Sequence, residues 1–272
     1  MRWLSSLLLL LPLQLLQAAP LIIADPSAPH QQFKQTLLEQ LETTLSDIPP
    51  DQLTITIGPQ ALQQTLNQSS TPLLALLVTQ DQFTSATADL SHKASAIYRE
   101  QPLSRLLRLI EISSPFLQQV GLLVTSPLEL PSTPLWVKQQ TAPRLRHALN
   151  TLLPEVDTLL IYHNPDLFTP TTMRHILLSS YRQQKPLICH TEALVRAGCM
   201  VGVHSNPEAW IKTAREWLVA YQQSNYQQLP PSLYSQYFSV STNRKVARSL
   251  GFDLPHPDLL NRQLQQQAPA HE

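Results

Sequence analysis

The feature that most constrains this chain is a repeated alternation of short apolar runs with segments of helical periodicity. Residues 20–24 (PLIIA), 53–57 (LTITI), 73–78 (LLALLV) and 95–97 (SAI) read as strands, and the helical pattern returns between them. Phe33, Leu37, Leu38, Leu41 and Leu45 share one face of a helix predicted over 31–45, and a helix over 103–112 buries Leu103, Leu106, Leu107 and Ile110. The theme recurs with strands at 120–124 (VGLLV), 136–137 (WV), 156–162 (VDTLLIY), 186–189 (PLIC), 199–203 (CMVGV) and 237–240 (YFSV). Helices are predicted over 143–152, from Thr169-Pro170, from Asn206-Pro207 and over 242–250, the last closed by Gly251. Strands separated by helices imply parallel sheets covered on both faces, hence an α/β fold of two Rossmann-like lobes. The expected boundary is Ser113-Ser114-Pro115. The division is 19–114 with about 205–260 as the first lobe, 115–204 as the second, and 261–272 as a polar, disordered tail.

Residues 1–18 have the layout of a cleaved signal peptide: Arg2, a leucine run from Leu4 to Leu16, then Ala18 and Ala19 before Pro20. The run is shorter than the ~20 residues that cross a bilayer. A periplasmic protein released by cleavage after Ala18 is expected. Lysine plus arginine and aspartate plus glutamate stand at 19 each, so no basic field favours nucleic acid. With 5 glycines in 272 residues there is neither a P-loop nor a dinucleotide fingerprint, and no cofactor is expected. No G-x-S-x-G elbow or H-E-x-x-H pair argues for catalysis, so the chain is not expected to be an enzyme.

The ordered set 55–61 (ITIGPQA), 71–75 (TPLLA), 119–124 (QVGLLV), 156–163 (VDTLLIYH), 185–189 (KPLIC), 201–203 (VGV) and 243–255 (NRKVARSLGFDLP) resembles the substrate-binding proteins of ABC transporters of the tryptophan/tyrosine type. The resemblance implies the type I periplasmic-binding-protein architecture, two lobes joined by three crossovers with the ligand between them. It implies a monomer that takes a small molecule, amino-acid-like or aromatic, and hands it to a membrane permease. A sensor or interaction protein that feeds a membrane kinase or an outer-membrane system is the alternative. The chain has Gly202-Val203-His204 where members tend to have glycine-valine-aspartate, and 126–150 is short for a full helix, strand and helix.

In such sheets ligands sit beyond the carboxyl ends of the strands. That rule selects Asp25, Ser27, Gly58, Pro59, Gln60, Thr79, Gln80 and Tyr98 in the first lobe. In the second it selects Ser126, His163, Asn164, Asp166, His190, Glu192 and His204. The helix starts at Gly58-Pro59 and Thr169-Pro170 suit a ligand carboxylate, and Tyr98 or Phe168 could stack on an apolar part. For any single one of these residues, an ordinary loop role competes with ligand contact. His163, His190 and His204 each follow a strand, and three readings stand side by side: a metal or anion site, hydrogen bonding to an organic ligand, and incidental loop histidines. Cys189 ends one parallel strand and Cys199 begins the next, which places them at opposite sheet edges and favours two buried thiols over a disulfide.

Overall fold

The computed structural model describes residues 19–68, 70–88, 93–142, 144–164 and 167–267. The leader expected at 1–18 lies outside the described residues. Five parallel strands form the first sheet: β1 (Leu21–Ala24), β2 (Thr54–Ile57), β3 (Leu73–Val78), β4 (Ala94–Tyr98) and β10 (Leu233–Tyr234), in the order β1-β2-β3-β4-β10. The second contains β5 (Gln119–Val124), β6 (Trp136–Thr141), β7 (Thr158–Leu160), β8 (Leu187–Cys189), β9 (Val201–His204) and β11 (Ser239–Thr242). Its order is β11-β9-β8-β7-β5-β6, and only β11 runs antiparallel to its neighbour. All four residues of β2 are buried, as expected of a strand covered on both faces. The expectation of an α/β fold with two parallel-dominated sheets holds.

The helices sort by the sheet they cover. In α1 (Ala28–Ser46), Phe33, Leu37, Leu41 and Leu45 recur at four-residue spacing and are buried. They pack with Ile55, Ile57 and Leu74 of the first sheet, and with Ile211, Trp217 and Leu218 of α8 (Pro207–Gln223). By contrast α4 (Leu103–Ser113) packs with the second sheet: Leu106, Leu107 and Ile110 share one cluster with Val120, Ile188 and Val203. The boundary expected at Ser113-Ser114-Pro115 therefore falls one helix too late. The return to the first sheet is also shorter than 205–260, because β11 pairs with β9 of the second sheet. The tail expected from Asn261 begins inside α10 (Pro257–Gln267), held by Leu260 and Leu264, both buried against α4. Two buried apolar residues at i and i+4 lie on the face of the helix that docks.

The cysteines correct a second expectation. Cys189 and Cys199 form a disulfide, with Cα atoms 6.2 Å apart. Opposite edges require strands of some length, and β8 has only three residues. Between the cysteines α7 (Glu192–Ala197) makes a short return and ends on Gly198 at φ 142°, while the Cys199 amide bonds to Leu194 O. That hook brings Cys199 back to Cys189.

Three segments cross between the sheets, following β4, β9 and β10, and polar side chains lace them together. Arg105 is buried at 4% exposure; its Nη1 donates to Gln101 Oε1 at 2.7 Å and to Ser235 O at 2.9 Å. Its guanidinium lies 4.3 Å from the Phe238 ring centroid. Gln101 Nε2 donates to Ser205 Oγ at 2.9 Å, and Ser205 Oγ donates to Tyr237 O at 2.7 Å. Arg105 thus ties the crossovers after β4 and β10 directly, and Gln101 extends the tie to Ser205 in the crossover after β9. Replacing Arg105 with methionine keeps most of the volume but removes the donors. Each acceptor left unpaired costs about 1–3 kcal/mol, so urea denaturation should show a loss of about 2–4 kcal/mol. A loss within 0.5 kcal/mol would mean that the crossovers do not depend on this lacing.

Candidate functional site

The carboxyl ends of the strands in the first sheet are closed largely by the protein itself. Asp25 follows β1 and is 6% exposed; Oδ1 accepts from the Ala61 amide at 2.6 Å and Oδ2 from the Gln60 amide at 3.4 Å. These amides open α2 (Pro59–Leu66), with Pro59 at its first position. The anion position expected for a ligand carboxylate is therefore taken by Asp25. Gly58 permits this approach: its φ is 97°, and a Cβ there would stand 2.4 Å from Asp25 Oδ2. Ser27 lies aside, bonded through Oγ to His30 Nδ1 at 2.5 Å on the exposed start of α1.

Next along the sheet, β3 ends in a register shift between Leu76 and Val78, with Leu77 at φ 56°. A bulge of this kind re-aims the chain that follows. Thr79 then caps α3 (Gln80–Thr87) in a capping box with Gln82. This helix was not expected, although Thr-x-x-Gln is its readable signature. Tyr98 points into a buried apolar cluster, with ring contacts to Phe83 at 6.2 Å and Tyr234 at 4.9 Å, so its role is packing.

A cavity of about 510 Å³ opens where the two sheets meet. Gln80, Asp81 and Thr84 of α3 and Tyr234 of β10 line one side; Tyr162 and residues 128–131, between β5 and β6, line the other. Tyr234 OH donates to Gln80 Oε1 at 2.6 Å. Burial, the largest cause, pushes the phenols of Tyr162 and Tyr234 above their ordinary range. Glu100 abuts this wall, its Oε1 accepting from the Gln80 amide at 2.6 Å. Burial raises its carboxyl to about 7, against the lowering effect of the Gln80 amide and of Arg99.

The histidines separate. His163 and His190 meet edge to face, with ring centroids 5.3 Å apart. His163 Nε2 accepts from Arg99 Nη2 at 3.1 Å, a bond between the two sheets, and His190 Nδ1 donates to Ile161 O at 3.0 Å. His204 instead bonds through Nε2 to Ser241 Oγ at 2.9 Å, across the β9–β11 pair. Three imidazoles do not converge, because β9 pairs with β11 and His204 bonds to Ser241 there, and no metal-binding group of three appears among the described residues.

Other expected residues serve the loops that carry them. Asn164 bonds to Thr125 and accepts from the Leu167 amide. Glu192 opens α7 and pairs with Arg196 on the surface. Ser126 is exposed, and Asp166 lies outside the described residues. Thr169 spends its hydroxyl on the Thr172 amide at the start of α6 (Pro170–Arg182). Phe168 lines an apolar groove between α6 and α7 rather than the interlobe cavity.

Of the expected residues, Gln80 and His163 are brought to the junction, with His190 behind His163. Arg99, Glu100, Asp81, Tyr162 and Tyr234 were missed. An adjacent arginine and glutamate directly after a strand, in a chain only 14% charged, was a signal available in the sequence. Tyr234 gave none, since its strand has two residues.

The His163 environment has a consequence for acid stability. Burial first, then Arg99 and His190, lowers its pKa from 6.5 to about 3. Between these values the unfolded chain binds the extra proton, so stability should fall as pH drops below about 6.5. Replacing His163 with asparagine should flatten the decline in urea midpoint over this range. An unchanged slope would remove His163 as its source.

No family model matches the chain, and no curated protein matches it in sequence. Solved structures do. The ligand-free, open structure of a substrate-binding protein with adhesive properties from Clostridium difficile superposes with a TM-score of 0.63 at 16% identity, covering 88% of this chain and 96% of that one. A conserved domain protein from Vibrio cholerae gives 0.58 at 12% identity, covering 89% and 97%. The ABC domain from Streptococcus pneumonia in complex with L-Trp gives 0.55 at 14% identity, again covering 89% and 97%. At these identities the likeness concerns the fold: this chain has the two-sheet architecture of substrate-binding proteins, as its sequence resemblance implied.

Proposed function

We propose that this chain is an exported solute-binding protein that holds a small organic ligand between its two lobes and presents it to an ABC permease. One observation carries the reading. The cavity of about 510 Å³ takes its walls from both sheets, where strand ends and crossovers meet. Its size suits a small molecule, and that location is where open α/β sheets bind ligands. Ligand contacts made to both sides at once stabilise the closed arrangement over an open one, since only the closed form offers both sets. Gln80, Asp81 and Tyr234 would hold the ligand from one side, Tyr162 from the other. The reading requires no bond making or breaking. It places the mature chain in the periplasm as a monomer, with residues 1–18 removed.

A thermal-shift screen of the mature protein tests it, using amino acids, aromatic compounds, amines, nucleosides, sugars and small peptides. A ligand at ~100-fold over its dissociation constant adds about 2.7 kcal/mol, enough to move the midpoint by several degrees. Tyr162→Ala should abolish that shift. A screen in which no compound moves the midpoint would overturn the solute-binding reading in favour of a sensor or protein-partner role.

A further inference from the structure

Parallel strands that lie side by side need a crossover of about a dozen or more residues, usually a helix. In this chain α1, α2 and α3 join the first four strands, and α6 and α7 join β7 to β8 and β8 to β9. One connection departs from the pattern. β5 and β6 are parallel neighbours, yet residues 125–135 between them hold neither helix nor strand. This segment, TSPLELPSTPL, carries Pro127, Pro131 and Pro134, each of which fixes φ and limits the conformations open to the chain. It runs past the interlobe cavity, where Leu128, Glu129, Leu130 and Pro131 line the side opposite Gln80, Asp81 and Tyr234. Where the other crossovers present a helix, this one presents a loop.

The loop is fixed at both ends. Thr125 Oγ1 accepts from Asn164 Nδ2 at 3.1 Å, and Leu128 packs against the core of the second sheet. Gln139 on β6 holds Leu128 by both of its backbone groups: Oε1 accepts from the Leu128 amide at 2.7 Å, and Nε2 donates to Leu128 O at 2.8 Å. A side-chain amide here takes the place of a partner strand. Further on, Thr133 Oγ1 donates to Glu111 Oε1 at 3.1 Å, and Leu135 is buried at 6% exposure. Between these anchors Glu129 and Leu130 are exposed and reach the cavity. Binding residues are disproportionately carried on loops that a rigid scaffold positions.

We infer that residues 125–135 form a strap that closes the solute site from the second lobe, that Leu130 at its centre meets the solute, and that Gln139 is the residue that positions it. The inference rests on the solute-binding reading and deepens it. Gln139 is not itself part of the cavity lining. It acts through Leu128, so loss of its amide should let the strap lift while the sheets stay paired. Lifting of the strap and binding of a solute are then linked. A solute that contacts only the seated strap holds it down, and the seated strap favours that solute by the same factor.

Native-state proteolysis of the mature protein by a glutamate-specific protease tests this, with the cut after Glu129 read from fragment masses. When reclosing outpaces cleavage, the rate tracks the population of the lifted strap. Gln139→Leu removes two hydrogen bonds, so cleavage after Glu129 should be at least about tenfold faster than in the wild type. Gln139→Glu, which keeps the acceptor for the Leu128 amide, should fall between the two. Gln140→Leu, on the same strand but with a side chain bonded to the adjacent Thr141 O, should leave the rate unchanged. L-phenylalanine, L-leucine, putrescine, glucose and adenosine are then added in turn. Any of them that raises the thermal midpoint should, at about 100-fold over its dissociation constant, slow this cleavage at least about tenfold. Leu130→Ala should weaken binding of the same compound by about threefold or more in calorimetric titration. Equal cleavage of Gln139→Leu and the wild type, or equal acceleration by Gln140→Leu, would overturn the assignment to Gln139. Unchanged affinity in Leu130→Ala would remove Leu130 from the site. A compound that raises the midpoint yet leaves cleavage after Glu129 unaltered would overturn the strap and leave solute binding intact. If neither these five nor any compound of the broader screen moves the midpoint, the solute-binding reading falls and the strap's place in the site with it, while the cleavage rates still decide the role of Gln139.

Discussion

Everything that places the cleft depends on how three chain crossings are held in register. Two parallel-dominated sheets are joined only at the segments following β4, β9 and β10, and these would otherwise be short exposed links. Arg105, Gln101, Ser205 and Ser235 turn them into a single buried knot. An arginine suits this task because its planar fork offers several fixed donors, and because it can lie against the Phe238 ring. With the crossings fixed, the strand ends of both sheets are directed at one another, and the cavity between them follows from that geometry.

Around the knot, side chains at the strand ends divide into two groups. Some finish the fold: Asp25 neutralises the start of α2, Thr79 caps α3, Asn164 closes the turn after β7. Others face the junction: Gln80, Asp81, Tyr162 and Tyr234 around the cavity, and Arg99 bonded to His163 across the sheets. The division is physical. A buried carboxylate beside helix amides is already satisfied and has little to offer a ligand.

How far the site was legible follows the same division. The rule of strand carboxyl ends found Gln80, His163 and His190, because it depends only on locating strands. It also returned Asp25, Gly58 and His204, whose partners come from elements that are distant in sequence or that were missed. Asp25 and the amides it binds are separated by 35 and 36 residues, and His204 and Ser241 by 37. No local pattern reveals such a pairing. Arg99 and Glu100 were lost to a strand end placed one residue short, and Tyr234 to a strand too brief to show periodicity. The disulfide was lost because its geometry depends on the hook at Gly198, not on strand order.

By itself the sequence determined that strands and helices alternate, that the strands are buried on both faces, and that ligand chemistry belongs at their carboxyl ends. Those properties are encoded by hydrophobic period, which depends on neighbours a few residues apart. Only the tertiary structure decided that α4 and α10 cover the second sheet, that Cys189 meets Cys199, and that Asp25 fills the helix terminus that the sequence offered to a ligand anion. Each of these is a contact between distant segments, set by how the two sheets dock and by which buried polar groups can be satisfied together.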